Sequence, residues 1–296
     1  MPLTRPIEKS VVVLTGASSG VGATTALLLA RRGASLVLNA RGEEDLARVA
    51  AACERRGARV AWLAADVAEP DTAERLASRA VESFGRLDGW VNNAAVAHFC
   101  ALLDVPGAEV RRVLDVDVLA ALAGMQAAAP RLRDAGGGVI INVASVLARA
   151  TVPWMGPYNA AKHAVDALSS TLRQELRATG DSSISVCTLL PSTIDTPLFE
   201  HAANRTGHPG RPLPPAYRPA KAARIIVRLL QRPRREAYVG AAGRLTVLSS
   251  VVAPGLTEWI LAQYGTRLGL DLKERQPETA GNLYAPLGPH PVKPRS

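Results

Sequence analysis

The chain alternates between short apolar segments and longer segments of helical period, and no other feature limits the fold as much. Seven short runs are rich in Val, Ile and Leu, and segments rich in Ala, Leu and Arg separate them. Parallel strands that are buried on both faces have this apolar character, and a helix usually connects each strand to the next. The pattern therefore predicts an α/β fold with a doubly wound, parallel, seven-stranded sheet and helices on both faces.

The predicted elements form one domain over residues 8–240, followed by a helical extension over 241–275. Prolines alternate with polar residues from 276 to 296, which predicts a Pro-rich mobile tail. The predicted strands are Ser10–Leu14, Ser35–Asn39, Arg59–Ala64, Gly89–Asn92, Val139–Val143, Ile184–Leu190 and Ala237–Gly240. The predicted helices lie near Gly22–Arg32, Glu43–Arg56, Asp71–Phe84, Ala108–Arg133, Pro157–Ala178 and Pro219–Arg232.

The composition argues against several classes of function. The chain has 35 Lys and Arg against 26 Asp and Glu, but only 4% of its residues are aromatic, so we expect no base-stacking surface for nucleic acid. Its three cysteines are widely separated and its five histidines are not grouped with carboxylates, so we expect neither a disulfide framework nor a metal site. The N-terminus lacks the apolar region of a secretory signal, and we expect a cytoplasmic protein without a membrane-spanning helix.

A glycine cluster directly follows the first predicted strand and opens the first helix. The segment Thr15-Gly16-Ala17-Ser18-Ser19-Gly20-Val21-Gly22 has the spacing G-x3-G-x-G. Such glycines let the backbone turn tightly and approach a pyrophosphate at a helix N-terminus, where free N–H groups favour anions. Because a second strand ends about 20 residues later, the segment indicates a Rossmann-type dinucleotide site rather than a structural turn alone.

Further motifs follow in an order that resembles the short-chain dehydrogenase/reductase family of the single-domain type. They are Asn92-Asn93-Ala94-Ala95, Ser145, Tyr158-x3-Lys162 and Pro191-Ser192-Thr193-Ile194-Asp195-Thr196. The resemblance covers about residues 8–240, and residues 195–260 also resemble a bacterial subgroup with a longer C-terminus. Ala95 and Ser192 stand where the family usually has glycine.

The resemblance also implies which residues hold a nicotinamide cofactor. Asp66 is implied to accept a hydrogen bond from the adenine amine, although it can instead cap the helix that follows. Lys162 is implied to hold the nicotinamide ribose. The turn that ends at Thr196 is implied to hold the carboxamide of the nicotinamide. The implied cofactor-binding residues are Gly16, Ser18, Ser19, Gly20, Val21, Gly22, Arg41, Asp66, Val67, Asn93, Ala94, Ala95, Tyr158, Lys162, Pro191, Ile194 and Thr196.

The end of the second predicted strand favours NADP(H) over NAD(H). An NAD site usually has Asp or Glu there, whose carboxylate binds the ribose hydroxyls and repels a 2′-phosphate. This strand ends Leu38-Asn39-Ala40-Arg41, with no acid at 39 or 40. Arg41 can meet a 2′-phosphate with charge-assisted hydrogen bonds, and the alternative is a solvated arginine that opens a loop.

Tyr158 and Lys162 lie four residues apart on a predicted helix and therefore share a face. The lysine ammonium, together with the positive nicotinamide, is expected to lower the pKa of the phenol from about 10 toward neutrality. Tyr158 is then the proton donor in reduction and the acceptor in oxidation. Ser145 ends the fifth predicted strand, where open α/β sheets bind ligands, and its hydroxyl can donate to the substrate oxygen.

The fourth member of the implied catalytic set is Asp117, where the family normally has asparagine. A carboxylate near Lys162 is expected to raise the pKa of that lysine and to weaken its influence on Tyr158. We therefore expect a working enzyme with a shifted pH optimum.

The C-terminal part leaves several alternatives open. Residues 198–219 are expected to form a lid over the substrate, with His201 solvated rather than facing it. The apolar segments Leu245–Val252 and Leu256–Leu261 are expected to dock on the fold or to form a subunit contact, in preference to resting on a membrane interface. The family resemblance implies a homodimer or homotetramer.

The favoured function is an NADP(H)-dependent oxidoreductase that interconverts a small-molecule ketone or aldehyde and an alcohol. A nucleotide-sugar epimerase or dehydratase would have a different glycine spacing and a larger C-terminal substrate domain. A cofactor-binding regulator without activity is the alternative from another class, and the departures at Asp117 and Ser192 are the features that favour it.

Overall fold

A parallel sheet lies at the centre of the computed structural model, which describes residues 3–287. In chain order the strands are β1 (Val11–Thr15), β2 (Ser35–Ala40), β3 (Val60–Ala64), β4 (Gly89–Asn92), β5 (His98–Phe99), β6 (Gly138–Val143), β7 (Ile184–Pro191), β8 (Ala203–Asn204) and β9 (Glu236–Val239). Seven of them form one sheet in the order β3-β2-β1-β4-β6-β7-β9, and every neighbouring pair is parallel. β5 and β8 pair separately. The predicted sheet is confirmed, with each strand within one residue of its predicted bounds.

Helices cover both faces of the sheet. They are α1 (Gly20–Ala30), α2 (Glu43–Glu54), α3 (Thr72–Phe84), α4 (Gly107–Leu114), α5 (Ala120–Asp134), α6 (Gly156–Ala178), α7 (Leu198–His201), α8 (Pro219–Gln231), α9 (Ala241–Val252) and α10 (Pro254–Leu268). Val12 and Leu14 of β1 enter a core shared with α1, α2 and α8. Val11 and Val13 enter a second core shared with α3, α5 and α6, so alternate side chains of one strand support both layers.

A π-helical turn over Asp115–Leu119 joins α4 to α5. By length and composition alone the stretch Gly107–Asp134 is apolar enough to cross a membrane, but half of its most apolar part is buried, as is usual for a helix in a packed core. A π turn inside a helix often marks a functional position, because the extra residue re-aims neighbouring side chains. Here it carries Asp117.

The predicted C-terminal extension consists of α9 and α10, and both helices pack onto the sheet domain. The Ser192 hydroxyl, at the end of β7, accepts a hydrogen bond of 3.1 Å from the Gly243 N–H in the first turn of α9. The serine that replaces the family's glycine therefore ties the extension to the sheet. The outer faces of the two helices are apolar and exposed, including Leu248, Val252 and Trp259.

Residues 276–287 of the segment predicted to be a mobile tail pack against the domain in this structure. Thr279 forms an antiparallel bridge with Asn204, and the Leu283 side chain is completely buried. The sequence suggested mobility because prolines and polar residues dominate it, but these residues are held by backbone hydrogen bonds to distant segments. The remainder of the predicted tail, 288–296, lies outside the described residues.

Candidate active site

The glycine-rich loop lies between β1 and the N-terminus of α1, next to the ends of β4 and β7. Gly16 has a φ of 65°, and a Cβ there would lie 2.8 Å from the Ala94 Cα. Gly20 has a φ of 52°, and a Cβ there would lie 3.1 Å from the Thr196 side chain. The Asn93 amide donates to the carbonyl oxygens of Thr15 and Gly16 at 3.0 and 3.2 Å. Glycine is therefore required for the turn, and Asn93 holds it in place.

The predicted site residues come together in one cleft of about 340 Å³ at the carboxyl ends of the strands. Asp117 is the exception, since it lies behind Lys162 and is only 2% exposed. The predicted residues that line the cleft are Gly16, Ser18, Ser19, Gly20, Val21, Gly22, Arg41, Asp66, Val67, Asn93, Ala94, Ala95, Ser145, Tyr158, Lys162, Pro191, Ile194 and Thr196. The described residues contain no cluster of His, Cys, Asp or Glu that could hold a metal ion.

Ser145, Tyr158 and Lys162 converge at the centre of the cleft. Tyr158 and Lys162 extend from the same face of α6, with the ammonium nitrogen 5.2 Å from the centre of the phenol ring. Ser145 lines the same part of the cleft, and its hydroxyl donates a long hydrogen bond of 3.4 Å to the Pro191 carbonyl. The Ser145 hydroxyl also accepts the Leu147 N–H at 3.1 Å, which fixes its position at the end of β6.

Asp117 forms a buried ion pair with Lys162, with 2.9 Å between the carboxylate oxygen and the ammonium nitrogen. Its other oxygen accepts the Val96 N–H at 2.8 Å. Burial raises the pKa of Asp117. Burial also acts to lower the pKa of Lys162, but the charges of Asp117 and Tyr158 outweigh it, and the pKa of the lysine is raised. The expected effect of the aspartate on Lys162 is confirmed in direction.

The groups of the protein itself raise the pKa of Tyr158; the lowering expected from the sequence also counts the positive nicotinamide and stays a prediction. Burial raises the pKa of the phenol, and the negative charge of Asp117 raises it further. Lys162 and Ser145 act in the opposite direction but do not outweigh these effects. Burial and the charge of Asp117 together thus outweigh Lys162, and the protein's own groups favour the protonated phenol.

Arg41 and Asp66 lie at the opposite end of the cleft from Ser145, Tyr158 and Lys162. The Arg41 guanidinium is 3.8 Å from the Asp66 carboxylate, which also pairs with Arg112 of α4. The other Asp66 oxygen accepts the Ala68 N–H at 3.0 Å. Burial lowers the pKa of Arg41, Asp66 raises it and Arg112 lowers it. Two arginines thus face one carboxylate, and this end of the cleft has an excess of positive charge.

The part of the cleft beyond Tyr158 is mainly apolar, and the motifs did not identify the residues that line it. Trp154 has a φ of 68°, an uncommon backbone conformation for a bulky residue that is often found at functional sites. His201 also lines this part and is buried, so the expectation of a solvated histidine is wrong. The apolar and aromatic residues here are Phe99, Leu147, Val152, Trp154, Met155, Leu198, Phe199, Leu213, Leu261 and Tyr264.

Several polar groups of this lining already have partners within the protein. The Tyr264 hydroxyl donates to the Pro214 carbonyl, and Arg211 forms an ion pair with Asp271. The Thr246 hydroxyl donates to the Ala242 carbonyl at 3.1 Å. The Ser145 hydroxyl donates only a long hydrogen bond of 3.4 Å, to the Pro191 carbonyl, so the Ser145 and Tyr158 hydroxyls are the best-placed of these groups for a substrate oxygen.

Comparison with known proteins agrees with this geometry. A family model described as short chain dehydrogenase matches residues 10–207. This chain belongs to the short-chain dehydrogenase/reductase family. An uncharacterized oxidoreductase of Bacillus subtilis (strain 168), YxnA, is 32% identical over 259 residues, which are 87% of this chain and 72% of that protein. The chain is thus an oxidoreductase of this family.

Two solved structures of the family are similar over most of their length. One is a short-chain dehydrogenase/reductase from Burkholderia phymatum in complex with NAD, with a TM-score of 0.78, 27% identity, and coverage of 86% of this chain and 97% of that one. The other is an alcohol dehydrogenase from the archaeon Thermococcus sibiricus complexed with 5-hydroxy-NADP, with a TM-score of 0.68 and 27% identity. It covers 77% of this chain and 95% of that one.

The cleft fits the nicotinamide dinucleotide that the family implies. The first N–H groups of α1 have no partner within the helix, and its first turn carries no acidic residue to oppose an anion. Gly20 keeps open the space beside Thr196, which a Cβ would enter. Arg41 and Arg112 face the single carboxylate of Asp66 at one end, so that end keeps a net positive charge, whereas the charge of Lys162 at the other end is paired with Asp117.

Proposed function

We propose that this protein is an NADP(H)-dependent oxidoreductase that interconverts a ketone or aldehyde and an alcohol. The observation that carries the proposal is the convergence of Ser145, Tyr158 and Lys162 in the same cleft as the glycine-rich loop. When bound, the nicotinamide cofactor supplies the hydride in reduction and accepts it in oxidation.

The protein's own residues orient the substrate and move one proton. The Ser145 hydroxyl donates a hydrogen bond to the substrate oxygen, where negative charge develops during reduction. The Tyr158 hydroxyl gives its proton to the same oxygen, and in oxidation the phenolate takes that proton from the alcohol. Lys162 stabilises the phenolate, and Asp117 holds Lys162 in position.

NADP(H) is favoured over NAD(H) by the charges at the far end of the cleft. No carboxylate stands at position 39 or 40 to repel a 2′-phosphate, and Arg41 lines the cleft with Arg112 nearby. Arginine binds phosphate through paired, charge-assisted hydrogen bonds. The two solved relatives hold NAD and 5-hydroxy-NADP respectively, and the choice of NADP(H) therefore rests on the residues of this chain.

The substrate class follows from the apolar lining around the reacting groups. Trp154, Phe199 and Leu261 border this part of the cleft, and polar side chains such as Arg211 and Tyr264 are engaged with the protein. Burial of apolar surface contributes about 25 cal/mol per Å² to binding. The preferred substrate is a carbonyl or alcohol on an otherwise apolar body.

A screen at the NADPH absorbance tests the proposed function. Full-length protein is mixed with NADPH and a panel of ketones and aldehydes of increasing apolar size, and with NADP⁺ and the matching alcohols. We expect turnover that Tyr158→Phe lowers by about 100- to 10,000-fold, the usual contribution of a proton donor. Binding of NADPH without turnover across the panel would contradict the proposal and favour the inactive regulator.

The two departures that favour a regulator have structural explanations. Asp117 pairs with Lys162, and Ser192 binds the first turn of α9. A cytoplasmic location and a homodimeric or homotetrameric assembly remain predictions from the sequence.

A further inference from the structure

The C-terminal segment 279–287, which we call the strap, crosses from β8 to the positively charged end of the cleft. It begins at the bridge between Thr279 and Asn204. The Asn282 N–H then donates to the His201 carbonyl at 2.8 Å, and the Leu283 side chain is fully buried. The strap is therefore anchored at its start and at its middle.

The strap meets Arg41 through its backbone carbonyl groups. The Arg41 guanidinium donates to the carbonyl oxygens of Asn282 and Leu283, the second at 3.0 Å. Arg112 donates to the same Leu283 carbonyl at 2.7 Å. One strap oxygen thus joins the two arginines of this end of the cleft.

These contacts fix Arg41 without neutralising it. A guanidinium has five N–H donors, and the strap takes two of those of Arg41. The acceptors are neutral carbonyls, and the nearest carboxylate, Asp66, is 3.8 Å away and already paired with Arg112. Donors and net positive charge therefore remain for an anion.

Asn282 itself lines the cleft beside Arg41. Its side-chain oxygen is buried and has no hydrogen-bond partner among the described residues. An orphaned buried acceptor normally costs free energy unless a ligand or water satisfies it. This second observation places the strap at the binding surface rather than behind it.

We propose that the strap is a specificity-determining wall of the cofactor cleft, which holds Arg41 in place for the 2′-phosphate of NADP(H). The inference rests on the proposed NADP(H) dependence. Pre-ordering a long arginine side chain lowers the entropy cost of binding, and the benefit is confined to a cofactor that carries the phosphate.

Two shortened chains test the proposal by isothermal titration calorimetry with NADPH and NADH. A chain that ends at Leu287 keeps the strap, and a chain that ends at Ala280 loses Asn282 and Leu283. We expect the first to bind both nucleotides as the full chain does. We expect the second to bind NADPH about 10-fold more weakly while its affinity for NADH changes less than threefold. An unchanged ratio of the two affinities, or tighter binding of NADPH by the shorter chain, would overturn the proposal.

A pair of point variants covers the case in which the shorter chain does not fold. Leu283→Asn places an amide in the buried anchor, and Tyr284→Asn makes the same replacement at the next, exposed position. We expect only Leu283→Asn to lower the preference for NADPH. Equal effects of the two variants would overturn the proposal.

The same measurements in an Arg41→Ala background separate positioning from a general structural role. With Arg41 absent, the strap has no arginine side chain to position. Its removal should then leave the ratio of NADPH to NADH affinity unchanged. A further loss of the ratio there would overturn the proposal. If the proposed preference for NADP(H) is itself incorrect, the full chain will bind NADH more tightly than NADPH. That result is distinguishable from failure of the strap proposal.

Discussion

Asp117 determines how much positive field Lys162 can apply to Tyr158. The three groups lie in sequence, with the carboxylate 2.9 Å from the ammonium and the ammonium beside the phenol ring. An asparagine of the same shape would keep the hydrogen bond from the Val96 N–H but remove the negative charge. Asp117 therefore acts through Lys162: it holds the lysine in position, and its negative charge raises the pKa of Tyr158.

Replacing Asp117 with asparagine should move the pH profile to lower pH. Asp117 raises the pKa of Tyr158, so its removal lowers that pKa, and the phenolate that oxidation requires forms at lower pH. We therefore expect the rising limb of the oxidation rate to shift to lower pH. Asp115→Asn, in the same π turn, is the control. Superimposable profiles of wild type and Asp117→Asn would remove any special role for the acid.

Replacing Arg41 with alanine should weaken NADPH binding selectively. Hydrogen bonds to a charged group contribute about 1.5–3 kcal/mol, so we expect a loss of roughly 10- to 150-fold for NADPH. NADH lacks the 2′-phosphate, and its affinity should change little. Equilibrium binding by fluorescence quenching checks this, with Arg55→Ala on the exposed surface as control. Unchanged NADPH affinity in Arg41→Ala would show that the arginine only opens a loop.

At the scale of single elements, α10 has one side toward the cleft and one toward solvent. Leu261 lines the apolar part of the cleft, whereas the neighbouring Ile260 is 48% exposed. Loss of the Leu261 contacts should cost about 1–2 kcal/mol of substrate binding, since each buried methylene contributes about 0.8 kcal/mol. We expect Leu261→Ala to raise KM for an apolar ketone roughly 5- to 30-fold with little change in kcat. Ile260→Ala should leave KM unchanged, and equal effects of both variants would argue against a substrate wall at α10.

The sheet strands were predictable because buried parallel strands are continuous apolar runs, as in Val139–Val143. β5 and β8 were missed because each has only two residues and exists through pairing with the other. The aspartate–lysine pair was predictable from the motif order, since both residues occupy motif positions. The strap was not, because its anchors are contacts between residues far apart in the chain, such as Arg41 with Leu283.

At the scale of the whole molecule, the cleft is built from residues that range from Gly16 near one end of the chain to Asn282 near the other. The sheet supplies the floor, α9 and α10 supply one wall, and the strap closes the charged end. A ligand that contacts all three binds only when they are assembled, so nucleotide binding is coupled to the stability of the complete fold.

This coupling predicts that NADPH raises the thermal unfolding midpoint. At a concentration of 100 times Kd, a ligand that binds only the folded state adds about 2.7 kcal/mol to the free energy of unfolding, which corresponds to roughly 5 °C or more for a protein of this size. Differential scanning fluorimetry checks the shift. Tyr158→Phe should keep it, because that variant loses the proton donor but retains the cleft. The chain that ends at Ala280 should keep the shift with NADH and lose much of it with NADPH. A midpoint that is unchanged by millimolar NADPH would contradict nucleotide binding itself.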